Sequence, residues 1–227
     1  MALTFSDIKD ELLELVMNDK TAIRRAEAAA KGSYHEASLY AARVGDLLGR
    51  VLRRHAPMVD ISEWDLEGLI PPALGLNHSM IAEVCVQAQT AMNKKNGFGI
   101  RAVEPKFDGN RAYGIVAELR ANPEFINIEQ TFYDQLTNFD QNVVDEAIRA
   151  NAELQSEAGI HARIIRIAES GACPWCQALA GVYEYEDVKS TDNEVWHRHE
   201  NCRCTVDYAP DRSGRRQNAW TKEWRNT

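Results

Sequence analysis

The chain has 227 residues, of which 44% are hydrophobic and 26% charged, and this composition is typical of a globular protein with one or two domains. It excludes a collagen-like, coiled-coil or largely disordered chain. The 26 basic and 34 acidic residues give a net charge of −8, so general binding to nucleic acid is disfavoured, because neutralising phosphates requires a basic face.

The first twenty residues and the apolar runs bear on localisation. Asp7, Asp10, Glu11 and Glu14 are not compatible with a secretory signal segment. No apolar run approaches the roughly 20 residues of a membrane helix. We therefore expect a protein that stays in a reducing cytoplasm and does not contact a membrane.

Helical periodicity dominates the first two thirds of the chain. A stripe of apolar residues at spacings of three and four predicts the first helix, and Thr4 with Asp7 is expected to cap its start. Further helices are predicted over about 19–31 and 34–55. The stripe consists of Phe5, Ile8, Leu12, Leu15 and Val16.

The segment from Ala56 to Gly75 is predicted to be irregular, with Pro71 and Pro72 interrupting it. Its apolar side chains either fold back onto the core or form an interaction patch. Helix is expected to resume near Ala73 and to end at Asn96–Gly97. The apolar side chains are Val59, Ile61, Trp64, Leu66, Leu69 and Ile70.

Two more helices are expected before residue 160, with a separate stretch between them that opens at Pro123. One is centred on Val116, and the last long helix starts near Asn138, because Asn138 and Gln141 resemble a capping box. Three short strands then follow, over about 162–168, 181–185 and 204–208.

The predicted fold class is α+β, with a mostly helical N-terminal body followed by a small three-stranded antiparallel metal-binding module. The predicted boundaries are 1–137 for the body, 138–210 for the module and 211–227 for a basic, flexible tail.

Four cysteines and a histidine cluster near the C-terminus. Cys173-Pro-Trp-Cys176 is followed after 22 residues by His199-Glu-Asn-Cys202-Arg-Cys204. Two cysteines at C-x-x-C spacing and a second pair of soft ligands can hold one tetrahedral zinc ion. The sequence predicts one structural zinc per chain, bound by Cys173, Cys176 and two of His199, Cys202 and Cys204.

Other interpretations of the cluster remain open. A thioredoxin-like dithiol would need a strand–helix context that the short segment after Cys176 does not supply, and a pair of disulfides would need an oxidising environment. A hydrolytic zinc site would need an open position and a general base, and Glu194, His197 and Glu200 are weak candidates. Cys85 is expected to be a buried side chain outside the site.

The basic C-terminal tail mixes cations with aromatic residues. This combination is typical of contacts with single-stranded nucleic acid or with a protein partner, and a solvated tail is the alternative. The residues concerned are Arg212, Arg215, Arg216, Trp220, Lys222, Trp224 and Arg225.

The pattern Cys173-x-x-Cys176-x-x-Leu179-Ala-Gly181, closed by His199-x-Asn-Cys-Arg-Cys204, resembles the Mu-F-like domain of phage minor head proteins. The resemblance covers residues 140–208. It departs from the family in Ala180, where Asp is common, and in Arg198 and Glu200, where prolines are common. None of these changes removes a metal donor.

The resemblance implies a non-enzymatic component of the phage head. Such a protein would associate with the portal or major capsid protein at the portal vertex and act in head assembly and in DNA packaging or exit. It would occupy the virion head, and the host cytoplasm during assembly. The helical body is expected to carry the partner contacts, and the basic tail could contact phage DNA. A small zinc-dependent nuclease is the alternative, and a thiol oxidoreductase is a weaker one.

Overall fold

Six helices lie within residues 5–157 of the computed structural model. The model describes residues 3–55, 63–122, 125–190, 192–199, 202–211, 216–218 and 223–225. The helices are α1 (Phe5–Asn18), α2 (Lys20–Ala29), α3 (Tyr34–His55), α4 (Leu66–Asn96), α5 (Gly109–Ala121) and α6 (Phe125–Glu157).

A small antiparallel sheet follows the helices, with the strand order β2-β1-β3. Its strands are β1 (His161–Ile167), β2 (Gly181–Glu184) and β3 (Thr205–Asp211). Two short helices, α7 (Pro174–Leu179) and α8 (Tyr185–Val188), and a 3₁₀ turn at Glu194–Trp196 lie between the strands. A mostly helical chain that ends in a three-stranded sheet confirms the predicted fold class.

The predicted start of α1 and end of α4 are confirmed. The hydroxyl of Thr4 accepts the N–H of Asp7 at 3.4 Å, and the Asp7 carboxylate accepts the N–H of Thr4 at 2.9 Å. These two bonds form a capping box. Gly97 adopts a left-handed conformation (φ 69°) that ends α4, as a glycine there can do without strain.

The predicted start of α4 near Ala73 is wrong. The helix begins at Leu66, where the Asp65 carboxylate caps it by accepting the N–H of Gly68 at 3.1 Å, and it continues through Pro71 and Pro72. Apolar side chains around this start are buried, so this part of the segment folds back onto the core. These side chains are Trp64, Leu66, Leu69 and Ile70. Val59 and Ile61 lie outside the described residues.

The predicted helix start near Asn138 is also wrong, since α6 runs without a break from Phe125 to Glu157. Asn138 is buried in the middle of this helix and its side chain bonds to a distant loop, so it does not cap a helix. The helix therefore crosses residue 138, and the division at that position stays a prediction.

The sheet and the helices share one hydrophobic core. Ala162 and Ile164 of β1 and Val206 and Tyr208 of β3 belong to the same buried cluster as the apolar faces of the helices. The side chains of Cys176, Cys202 and Cys204 form a separate small cluster. The strands are thus anchored on the helical body, and the cysteines lie outside that core.

Close helix packing requires a glycine on α3. A Cβ atom on Gly45 would lie 2.8 Å from the Cα of Thr137 on α6, closer than real contacts allow.

Among the described helices, α4 alone is long and apolar enough to cross a membrane, but 61% of the relevant window is buried within the protein, as in a core helix.

The part of the tail that the structure describes forms a short antiparallel pair, β4 (Arg216–Asn218) and β5 (Glu223–Arg225). Most of the cations and aromatics singled out in the sequence lie outside the described residues. These are Arg212, Arg215, Trp220 and Lys222.

A buried carboxyl group between helices α3, α4 and α6 should make stability depend on pH. Asp140 is fully buried and accepts the side-chain N–H of Asn77 at 2.6 Å, and burial raises the pKa of Asp140 well above its usual value. Its stabilising contribution is therefore present at low pH and is lost as pH rises through its folded-state pKa.

Asp140→Asn should remove this loss, because the new amide stays neutral and can donate to the unpartnered Oδ1 of Asn77. At a pH above both the unfolded-state and the folded-state pKa of Asp140, the gain in free energy of unfolding is about 1.4 kcal/mol for each unit by which folding raises that pKa. Chemical denaturation across acidic to mildly basic pH measures it, with the exposed Asp10→Asn as control. An equal pH dependence in Asp140→Asn and wild type would contradict this prediction.

Candidate metal centre

The first pair of cysteines is presented by the start of α7. Cys173 is the N-cap residue, and Pro174 occupies the first helical position, where a missing N–H costs nothing. The N–H of Cys176 donates to the sulfur of Cys173 at 3.4 Å and lowers the pKa of that thiol. The C-x-x-C spacing thus places both sulfurs on one side of a tight turn.

The remaining three donors come from the segment that leads into β3. The Nε2 atom of His199 lies 3.4 Å from the sulfur of Cys173 and 3.1 Å from that of Cys176. The sulfur of Cys202 lies 3.8 Å from that of Cys176. All five predicted donors therefore meet in one place.

The donor atoms form two overlapping trios, each with all its atoms within 4.8 Å of one another. One trio is Cys173, Cys176 and His199, and the other is Cys176, Cys202 and Cys204. All five cysteines are free, and Cys85 is buried in the helical core, as the sequence predicts.

The spacing of the sulfurs suits a metal ion. Two thiolates of a tetrahedral zinc site lie about 3.8 Å apart, given zinc–sulfur bonds of about 2.3 Å. The Cys176–Cys202 separation of 3.8 Å agrees with this value and is far longer than the roughly 2.05 Å of a disulfide bond. The distance between these two sulfurs is therefore compatible with a shared metal ion.

Burial divides the donors into an inner and an outer group. Cys176, Cys202 and Cys204 are almost fully buried, and burial raises the pKa of the Cys176 thiol. Cys173 is half-buried and His199 is exposed. Buried thiolates need a nearby positive charge, and a divalent cation would supply it.

An open cleft of about 330 Å³ borders the cluster. All five donors line this cleft, together with the exposed Glu169. No carboxylate belongs to either donor trio among the described residues. The ring of Trp175 lies edge-on to that of His199, with centroids 5.9 Å apart.

Helix α6 fixes the loop that carries His199. The guanidinium of Arg198 donates to both carboxylate oxygens of Asp145 at 2.8 Å, and both side chains are only 2% exposed. Arg198 also donates to the carbonyl of Cys204, and Asn138 donates to the carbonyl of His199 at 3.0 Å. These bonds hold the backbone on both sides of Cys202.

Trp196, just before this loop, is anchored from the other side. Its side chain is buried, and its indole N–H donates to the carbonyl of Val188 at 2.6 Å. Trp196 is therefore a packing residue. His197 is exposed.

Sequence reasoning found the donors and missed the residues that hold them. In the sequence, Arg198 stood out only because it replaces a proline that is common in the family, although in the structure its side chain pairs with Asp145. The available signal was the pair of polar residues Asn138 and Asp145 on α6, because seven residues, about two helical turns, place them on the same buried face.

Fold and site together define a mostly helical protein with a Cys/His cluster that can hold a metal ion. The family model of the VG15 protein matches residues 78–227, about two thirds of the chain. The chain belongs to the VG15 protein family, a viral and phage gene family, and is therefore a phage-encoded protein. No curated protein and no solved structure matches it. The resemblance to the Mu-F-like domain rests on the motif alone.

The buried ion pair between α6 and the ligand loop should dominate the stability of the site. Asp145→Ala leaves Arg198 buried without a counter-charge, and such a loss costs about 3–5 kcal/mol. The neighbouring Glu146→Ala removes only a partly exposed pair with Arg149 and should cost less than about 1 kcal/mol. Urea denaturation of both variants measures the difference.

Replacing Arg198 as well as Asp145 should restore part of the lost stability, because no unpaired charge then remains buried. A double variant whose loss in free energy of unfolding exceeds the sum of the two single losses would contradict this explanation.

Proposed function

We propose that this phage protein is a structural minor head protein that associates with the portal vertex. The proposal combines the phage family with the His199-x-Asn-Cys-Arg-Cys204 ending, which resembles that of minor head proteins. Its partners would be the portal or major capsid protein, and its role head assembly and DNA packaging or exit.

The observation that carries the proposal is the surplus of donors at a site fixed by the core. Five candidate donors lie in two overlapping trios, more than the four that one structural zinc ion needs, and this supports a closed site without a catalytic water. The supports from α6 hold the ligand loop in place, as expected of a structural metal site. In this proposal the metal is zinc, one ion per chain, and the protein is not an enzyme.

A small zinc-dependent nuclease is the second candidate. The cleft favours it, because the exposed His199 and Glu169 border the side of the cluster that faces solvent. If His199 left the metal, Glu169 could serve as a general base beside an open coordination position.

Two equally buried cysteines provide a matched test of the metal. Cys176→Ser should reduce zinc content well below one ion per chain, because Cys176 belongs to both donor trios. Cys85→Ser should leave it unchanged, because Cys85 lies in the helical core. Both thiols are 1% exposed, so a general effect of disturbing a buried cysteine would appear in both variants.

Elemental analysis of freshly purified protein measures the zinc. Substoichiometric metal in the wild type, with the thiols paired as disulfides, would contradict the zinc assignment. An equal loss in both variants would show that the site is misassigned.

The head assignment is tested on phage particles. A tagged full-length chain should copurify with assembled heads at low copy number relative to the capsid protein. Cys176→Ser should lower its incorporation, and Cys85→Ser should not. Absence of the chain from heads would overturn the proposal, and zinc-dependent hydrolysis of plasmid DNA by the wild type would favour the nuclease.

A further inference from the structure

Strand β1 carries a buried cation on its inner face. Arg166 is 2% exposed and lies on the same face of β1 as Ala162 and Ile164, since alternate residues of a strand share a face. Removing a guanidinium from water costs several kcal/mol unless a nearby negative charge compensates. Such a residue in the core therefore requires an anion.

No carboxylate of the described residues supplies that charge. Arg166 donates to the carbonyls of Val195 at 2.9 Å and His197 at 3.0 Å, and to the sulfur of Cys202 at 3.7 Å. Among the described residues it has no ion pair within 4.0 Å, and its Nε atom has no hydrogen-bond partner. Arg198, the other buried arginine at this site, is paired with Asp145.

The donor cluster offers the missing charge. A zinc ion with three thiolates and a neutral histidine carries a net charge of −1, and one with four thiolates carries −2. The first of these sets, together with one guanidinium, is neutral. The Arg166–Cys202 contact brings the guanidinium against this centre.

We propose that Arg166 is the counter-charge of the metal centre and that the ligands are Cys173, Cys176, His199 and Cys202. The proposal rests on the zinc assignment made above. Cys204 is then an uncoordinated thiol, because Arg166 contacts Cys202 and a set that uses Cys204 in place of His199 would leave one negative charge uncompensated.

Arg166 acts on the metal through a ligand, so it is a positioning residue. Its N–H···S contact holds the sulfur of Cys202 beside a positive charge, and its bonds to the carbonyls of Val195 and His197 fix the backbone that leads to His199. Such outer-shell partners typically change metal affinity by 10–100-fold. The only sequence signal for this residue was its position on the inward-facing side of β1.

Competition with a chromophoric chelator measures zinc affinity in full-length variants. Arg166→Gln should weaken zinc binding at least about tenfold, and Arg166→Lys, which keeps the charge, should recover most of it. Arg163→Gln is the matched control, since it removes an exposed arginine three residues away on the opposite face of the same strand. Asn138→Ala controls for loss of a loop anchor without loss of charge.

Equal weakening in Arg166→Gln and Arg166→Lys would reduce Arg166 to a loop anchor and overturn the proposal, as would unchanged affinity in Arg166→Gln. If Arg166→Gln does not fold, the wild type decides: cadmium should shift the guanidinium N–H resonances of nitrogen-labelled Arg166, and unchanged resonances overturn the proposal. A wild type that binds no zinc would instead refute the metal assignment itself.

The ligand choice has its own readout. Cys204→Ser should keep one zinc per chain, and Cys202→Ser should lose it or bind it far more weakly. The opposite outcome, with Cys204 required and Cys202 dispensable, would overturn the proposed ligand set.

Discussion

The buried polar side chains of helix α6 connect the three parts of this protein. Toward the metal loop, Asn138 and Asp145 hold the backbone around Cys202. Toward the helical body and the sheet, Asn151 bonds to both the N–H and the carbonyl of Val103, and Gln155 bonds to Asn93 and Tyr208. Each of these groups would be costly to bury without its partner, so the network specifies how the parts fit together.

This arrangement limits what a metal ion must do. The strands pack into the helical core through Ile164, Val206 and Tyr208, so the sheet does not depend on metal for its apolar contacts. The cysteines form a separate cluster at the end of the sheet, with little apolar area of their own. A metal there would stabilise the loops that bear the ligands, because metal binding and local folding are linked.

Sequence alone predicted the parts of the structure that follow local rules. The capping box at Thr4, the glycine that ends α4 and the three strands all depend on neighbouring residues, and the five donors were recognisable from their spacing. The errors have one cause, which is tertiary context. Pro71 and Pro72 are accommodated near the start of a long helix, and Asn138 resembles a cap but serves a loop 61 residues away. Arg166 was missed for the same reason, because the groups that it contacts, in Val195, His197 and Cys202, lie on another segment.

We propose that zinc holds the ligand-bearing loops onto a core that the helices and strands form without it. Amide hydrogen exchange of the full-length protein, with zinc bound and after its removal by a chelator, tests this claim most directly. Zinc removal should abolish protection in residues 172–180, 197–199 and 202–204 while α6, β1 and β3 stay protected. Loss of protection throughout the sheet, or no change in either segment, would contradict it.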